Sequence, residues 1–232
     1  VFEDDEPPSS SIYQWTKYAQ LGADIDGEAA GDQSGYSVSL SSDGTIVAIG
    51  AHFNGSSRGH VRVYKWTGIS WVQLGADIDG EAAADYFGIS VSLSSDGTIV
   101  AIGAILNDGT GSNAGHVRVF KYLSTTLTQL GADIDGEAAG DQSGISVSLS
   151  SDGTIVAIGA INNGGTASNA GHVRIFKYIS TTWIKVGLDI DGEAAGDNSR
   201  FSVSLSSDGS VLAVGGYKQR WNGFQCRTCS GI

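Results

Sequence analysis

The sequence predicts an all-β protein, a small β-propeller built from four-stranded antiparallel blades. Three observations carry that expectation. A unit returns at intervals of 53 and 56 residues, each unit holds four short strand signals between Gly- and Ser-rich turns, and no stretch of ten residues keeps a helical period.

The repeat is explicit. Gly22-Ala23-Asp24-Ile25-Asp26-Gly27-Glu28 returns at 75–81 and 131–137, and with one change at 187–193. Ser42-Asp43-Gly44 recurs at 95–97, 151–153 and 207–209, and the phrase Gly59-His60-Val61-Arg62-Val63-Tyr64-Lys65 at 115–121 and 171–177. Length varies in one loop, 53–58 in the first copy against 105–114 and 161–170 in the next two, which marks that loop as exposed.

In the first unit the strands are expected at 36–41, 45–51, 60–66 and 71–74. Tyr36, Val38 and Leu40 alternate with Ser37, Ser39 and Ser41, so one face is apolar and the other small and polar. Ile46-Val47-Ala48-Ile49 is apolar on both faces, as a strand covered on both sides must be. Asp43-Gly44 supplies the tight turn between these two strands. Small residues on one face suit close approach of neighbouring sheets.

The ends suggest closure. Residues 11–16 align with a third strand and 18–21 with a fourth, while 201–206 and 211–215 read as a first and a second. Two terminal halves sharing one blade would close a four-bladed ring and remove both exposed edges. A fragment of a larger propeller would carry the same repeats. The expected division is an acidic Ser/Pro extension at 1–10, the repeats at 11–216, and a C-terminal tail with CxxC at 217–232.

Thirteen basic residues against 25 acidic give a formal charge of −12, which disfavours nucleic acid and anionic lipid as partners. No apolar run is long enough to span a membrane. The chain begins at Val1 and contains no Met, so it reads as a processed product or a fragment. Cys226 and Cys229 are expected to form a local disulfide, with free thiols or the start of a truncated disulfide-rich segment as the other readings. Asn54-Gly55-Ser56 is an N-glycosylation sequon at Asn54.

The acids concentrate in the segment that enters each unit. Its carboxylates are Asp24, Asp26, Glu28 and Asp32; Asp77, Asp79, Glu81 and Asp85; Asp133, Asp135, Glu137 and Asp141; and Asp189, Asp191, Glu193 and Asp197. Calcium is a hard cation that takes six to eight oxygens from flexible loops, and alternate carboxylates around a Gly bend can converge on one ion. The same residues also read as turns, with the last Asp capping backbone N–H groups and the others facing water. Both readings stand at the level of sequence. His60, His116 and His172 read as buried, bonded side chains rather than a zinc ring, and Arg62, Arg118 and Arg174 as salt-bridge partners between units. Trp66, Trp71 and Trp183 read first as packing residues, with sugar binding as the other use. No nucleophile elbow or phosphate-binding loop is present, and acids repeated in every unit do not make one asymmetric catalytic constellation.

Phe87-Gly88-Ile89-Ser90-Val91, then Asp96-Gly97, then Val100-Ala101-Ile102-Gly103-Ala104 resembles an FG-GAP repeat, the unit of integrin alpha-subunit propellers. Three further copies keep the order. The resemblance implies an extracellular or cell-surface propeller that mediates adhesion or ligand recognition; a protein or glycan ligand is expected to bind, without catalysis, at loops such as 53–58, 105–114 and 161–170. It also implies calcium in an Asp-rich hairpin, but Ser94-Ser95-Asp96-Gly97 is too short and too poor in oxygens for that site. Function is thus expected to be adhesion or binding. A repeated building block of an extracellular or surface assembly and a glycan-active protein are the alternatives.

Overall fold

The computed structural model describes residues 19–123, 126–162, 170–192 and 202–215, together with the backbone of 225–228. Four antiparallel sheets follow one another along the chain. The first holds β1 (Ser37–Leu40), β2 (Ile46–Ala51), β3 (His60–Trp66), β4 (Trp71–Gln73) and β5 (Ile78–Asp79). The second holds β6 (Phe87–Leu93), β7 (Ile99–Ala104), β8 (His116–Leu123), β9 (Thr126–Gln129) and β10 (Ile134–Asp135). In the third, β11 (Ser143–Leu149), β12 (Ile155–Ala160) and β13 (His172–Ile179) are followed by β14 (Thr182–Asp191), which merges the fourth strand and the short return strand into one. The fourth holds β15 (Ser202–Leu205), β16 (Val211–Gly215) and β17 (Gln225–Thr228).

Each hairpin turn is fixed by its own side chains. Asp96 accepts from Ser94 Oγ at 2.7 Å, from Thr98 N at 2.9 Å and from Thr98 Oγ1 at 2.9 Å. Gly97 sits at φ 69°, where a side chain would be strained. The same pattern surrounds Asp43, Asp152 and Asp208. The turns are also tied to one another. Ser42 N donates to Ser95 O, Ser95 N to Ser151 O, and Ser151 N to Ser207 O, each at 2.8 Å.

Consecutive sheets pack face to face. Ser37 Oγ donates to Gly88 O and Ser90 Oγ to Gly144 O, both at 2.7 Å. Ser39, Ser92 and Ser148 accept from the amides of Leu93, Leu149 and Leu205. A Cβ at Gly50 or Gly103 would overlap the carbonyl of Gly88 or Gly144 on the next sheet, so glycine sets this spacing. Between the first two sheets Val61, Val63 and Ile78 pack with Phe87, Val100 and Ile102. Burying each such aliphatic or aromatic side chain contributes about 1.5–3 kcal/mol.

The expected closed ring is not formed. The sheets resemble propeller blades, but among the described residues none is shared between the two ends of the chain, and extensive packing runs from each sheet to the next in order. The physical reason lies at β16. The ring required a third strand from 11–16 to pair there, and β17 takes that edge instead, with Val211 opposite Thr228 and Val214 opposite Gln225. Residues 11–16 themselves lie outside the described residues.

Candidate functional site

The acidic connections place their carboxylates in three different environments. The ninth position caps a turn: Asp32 Oδ2 accepts from Ala29 N at 3.0 Å, Asp85 Oδ2 from Ala82 N at 2.9 Å, and Asp141 Oδ2 from Glu137 N and Ala138 N at 3.0 and 2.8 Å. At the third position the backbone carbonyl is used. Arg62, Arg118 and Arg174 each donate through Nη2 to Asp26, Asp79 and Asp135 O at 2.6, 2.6 and 2.7 Å. Burial pushes the Asp135 carboxyl above the ordinary range.

The first and fifth positions meet at a histidine. Position five of one connection and position one of the next converge on the first residue of the third strand of a sheet. The groups are Glu28, His60 and Asp77; Glu81, His116 and Asp133; and Glu137, His172 and Asp189. His60 Nδ1 lies 3.7 Å from both Glu28 Oε2 and Asp77 Oδ2, His116 Nδ1 lies 3.7 Å from Asp133 Oδ2, and His172 Nδ1 lies 3.9 Å from Glu137 Oε2. All three imidazoles are 1% exposed. Burial holds His116 and His172 below the ordinary histidine pKa, so both rings are neutral at pH 7. The ligand atoms of each triad lie within 4.8 Å of one another, a spacing that could hold a divalent ion.

The four carboxylates of one connection therefore do not gather around one point. Pairs from successive connections do, and each pair includes a nitrogen donor. Asp24 lies apart from these triads and accepts from Gln20 Nε2 at 2.8 Å. Asp79 pairs with Arg58 at 3.0 Å. Glu193 and Asp197 lie outside the described residues, as do Cys229 and the side chain of Cys226. The spacing of single motifs hides this arrangement. Its signal is the recurrence of His60, His116 and His172 in step with the acids.

Two of the three arginines form the expected ion pairs between units, while Arg62 bonds to the Asp26 carbonyl. Arg118 Nη1 lies 3.7 Å from Glu81 and its guanidinium sits 4.4 Å from the Phe87 ring centre; Arg174 Nη1 lies 3.6 Å from Glu137. Asn54 Nδ2 donates to Glu28 and Asp32 at 3.2 and 3.0 Å, and Asn107 repeats the pattern with Glu81 and Asp85. Trp71 and Trp183 donate through Nε1 to Leu21 O and Leu130 O at 2.9 and 2.7 Å, so their polar edges serve the backbone. A cavity of about 480 Å³ opens where the first strands of the sheets begin, walled by Tyr36, His52, Tyr86, Ile89 and Ile145. Among the described residues, no helix is long and apolar enough to cross a membrane.

An FG-GAP repeat model matches residues 77–120. That segment contains Phe87-Gly88, the Asp96 turn and Gly103, the residues that set the spacing between sheets. No curated protein matches the chain. Among solved structures the fold is similar to TolB from Acinetobacter baumannii, with a TM-score of 0.50 and 12% identity over 84% of this chain. The chain spans 41% of the length of that TolB structure. It is a β-propeller-like repeat fold. Among the described residues its polar groups recur from sheet to sheet and serve the packing of sheets.

Proposed function

We propose that the chain is a structural building unit of an extracellular or surface assembly, extended by stacking sheet on sheet. One observation supports this above the others. The same serine–glycine contact joins first sheet to second and second to third, through Ser37 to Gly88 and Ser90 to Gly144. An interface used repeatedly within a chain suits use between chains.

The front of the first sheet offers such a surface. Leu40 is 59% exposed, whereas its counterparts behind a preceding sheet, Leu93 and Leu149, are each 7% exposed; Val38 is 63% exposed and its counterpart Val147 is 9% exposed. The occupant this face fits is a second copy of the chain presenting the small, serine-rich face of a sheet, a head-to-tail contact. The resemblance to FG-GAP repeats and the excess of acidic residues are in keeping with a place outside the cell or at its surface.

Sedimentation of the purified chain over a concentration series tests the reading. Association that grows with concentration and disappears in Val38→Asp and Leu40→Asp is the expected result. A chain that stays monomeric up to millimolar concentration would overturn it.

A further inference from the structure

We propose that Glu28, His60 and Asp77, and likewise Glu81, His116 and Asp133, bind a divalent transition metal of the zinc class, and that Lys185 fills the third triad in place of an ion. The proposal stands apart from how the stack is used.

Distance is the first argument. Separations of 3.7 Å between Nδ1 and carboxylate oxygen are too long for hydrogen bonds. They suit two ligands of one ion. Donors about 2.1 Å from a metal, at a tetrahedral angle, lie about 3.4 Å from each other. The ligand atoms of each triad all lie within 4.8 Å of one another.

The second argument is the histidine. His116 is buried, and its Nδ1 has no hydrogen-bond partner while it faces the carboxylates. A neutral imidazole turned towards an acid pair is stabilised by a cation between them. One nitrogen with two carboxylate oxygens suits zinc, cobalt or nickel, whereas calcium prefers oxygen donors throughout. Glu28 and Glu81 are roughly half exposed, which leaves room for a water to complete the shell and for the ion to enter.

The third argument is a substitution within the repeat. Gln73 faces Tyr64, Gln129 faces Phe120, and Lys185 faces Phe176 in the same register. The two glutamines donate a neutral amide to Asp77 and Asp133 at 2.7 and 2.6 Å. Lys185 instead places its ammonium 2.5 Å from Asp189 Oδ1 and 3.7 Å from Glu137 Oε1. A positive charge thus already sits between the carboxylates of the third triad. In the first two the corresponding side chain carries none.

An ion in the second triad would also act as a clamp. Glu81 belongs to the connection leaving β5 of the first sheet, and His116 opens β8 of the second. The Nε2 atoms of His60 and His116 have no hydrogen-bond partner, so no outer contact fixes either ring. Affinity should therefore fall about tenfold to a hundredfold below that of a fully supported site.

Calorimetric titration of the chelator-stripped chain with zinc chloride decides the matter, in a Cys226→Ser/Cys229→Ser background that removes the thiols. Two equivalents are expected, rising to three in Lys185→Gln and falling to none when His60→Ala and His116→Ala are combined. Because those histidines are buried, Glu28→Gln with Glu81→Gln provides a second pair at half-exposed positions and should abolish binding equally. Saturating zinc should raise the melting temperature by about 5–10 °C per site at a hundredfold excess over Kd. Absence of zinc binding, or an unchanged stoichiometry in both Lys185→Gln and the histidine pair, would overturn the proposal. Calcium binding with the same stoichiometry, indifferent to the histidine variants, would overturn the choice of metal.

Discussion

Replacing Gly103 with alanine isolates the contact that sets the distance between sheets. Gly103 does not sit at positive φ, so alanine suits its backbone, and the stiffer unfolded chain alone would favour the variant by about 0.4–1 kcal/mol. Packing opposes this. The new Cβ would overlap the Gly144 carbonyl oxygen on β11 and lie 2.5 Å from Ser90 Oγ. Ordinary contact would require the sheets to separate locally. Overpacking of this kind costs about 1–3 kcal/mol. Loss of the Ser90 Oγ to Gly144 O hydrogen bond, 2.7 Å long, removes about 1 kcal/mol more. The net destabilisation expected is about 2–3 kcal/mol, or about 4–12 °C in melting temperature for a chain of this length. Thermal melts followed by circular dichroism, paired with urea midpoints, provide the measurement. Ser90→Ala, which loses the hydrogen bond without adding bulk, should fall by only about 2–4 °C. A Gly103→Ala protein melting within a degree of the parent would refute the idea that glycine controls the gap.

Arg118→Lys should destabilise by about 1–3 kcal/mol. A lysine cannot both reach Asp79 O, 2.6 Å from Nη2, and lie flat on Phe87; a urea midpoint equal to the parent's would count against this. Stability in the presence of chelator should decline as pH falls below about 6.5. Above that value His116 is neutral in both folded and unfolded chains; below it the unfolded chain takes up a proton that burial denies the folded one. His116→Gln should flatten that slope, and urea midpoints between neutral and mildly acidic pH would show whether it does. Asp152→Ala should cost about 1–2 kcal/mol by releasing Ser150 Oγ, Thr154 N and Thr154 Oγ1 together, with hydrogen exchange rising first at the turn.

The strands were legible because their pattern is local. Ser37, Ser39, Val38 and Leu40 alternate, and the Asp43-Gly44 turn follows at once, so β1 and β2 fall close to their expected bounds. The pairing of the last sheet was not legible. Gln225-Cys226-Arg227-Thr228 carries neither alternation nor the His-Val-Arg-Val phrase of the other third strands, yet backbone hydrogen bonding to β16 needs no particular side chains. The acidic residues were visible, but their grouping was not. Asp24 and Glu28 are near in sequence, whereas Glu28 and Asp77 meet only because β3 and β5 bring His60 opposite Asp79. Asp32, Asp85 and Asp141 followed the turn reading, since each caps amides three or four residues back.

Hairpin tips are usually where amide protons exchange soonest, because a turn can fray while its sheet stays intact. Here the amides of Ser42, Ser95 and Ser151 point into the tip of the following hairpin. Solvent reaches them only when two neighbouring sheets part at that rim. Their exchange rates therefore report separation of one repeat from the next rather than looseness within a repeat, and three backbone protons suffice to follow, joint by joint, where the stack first comes undone.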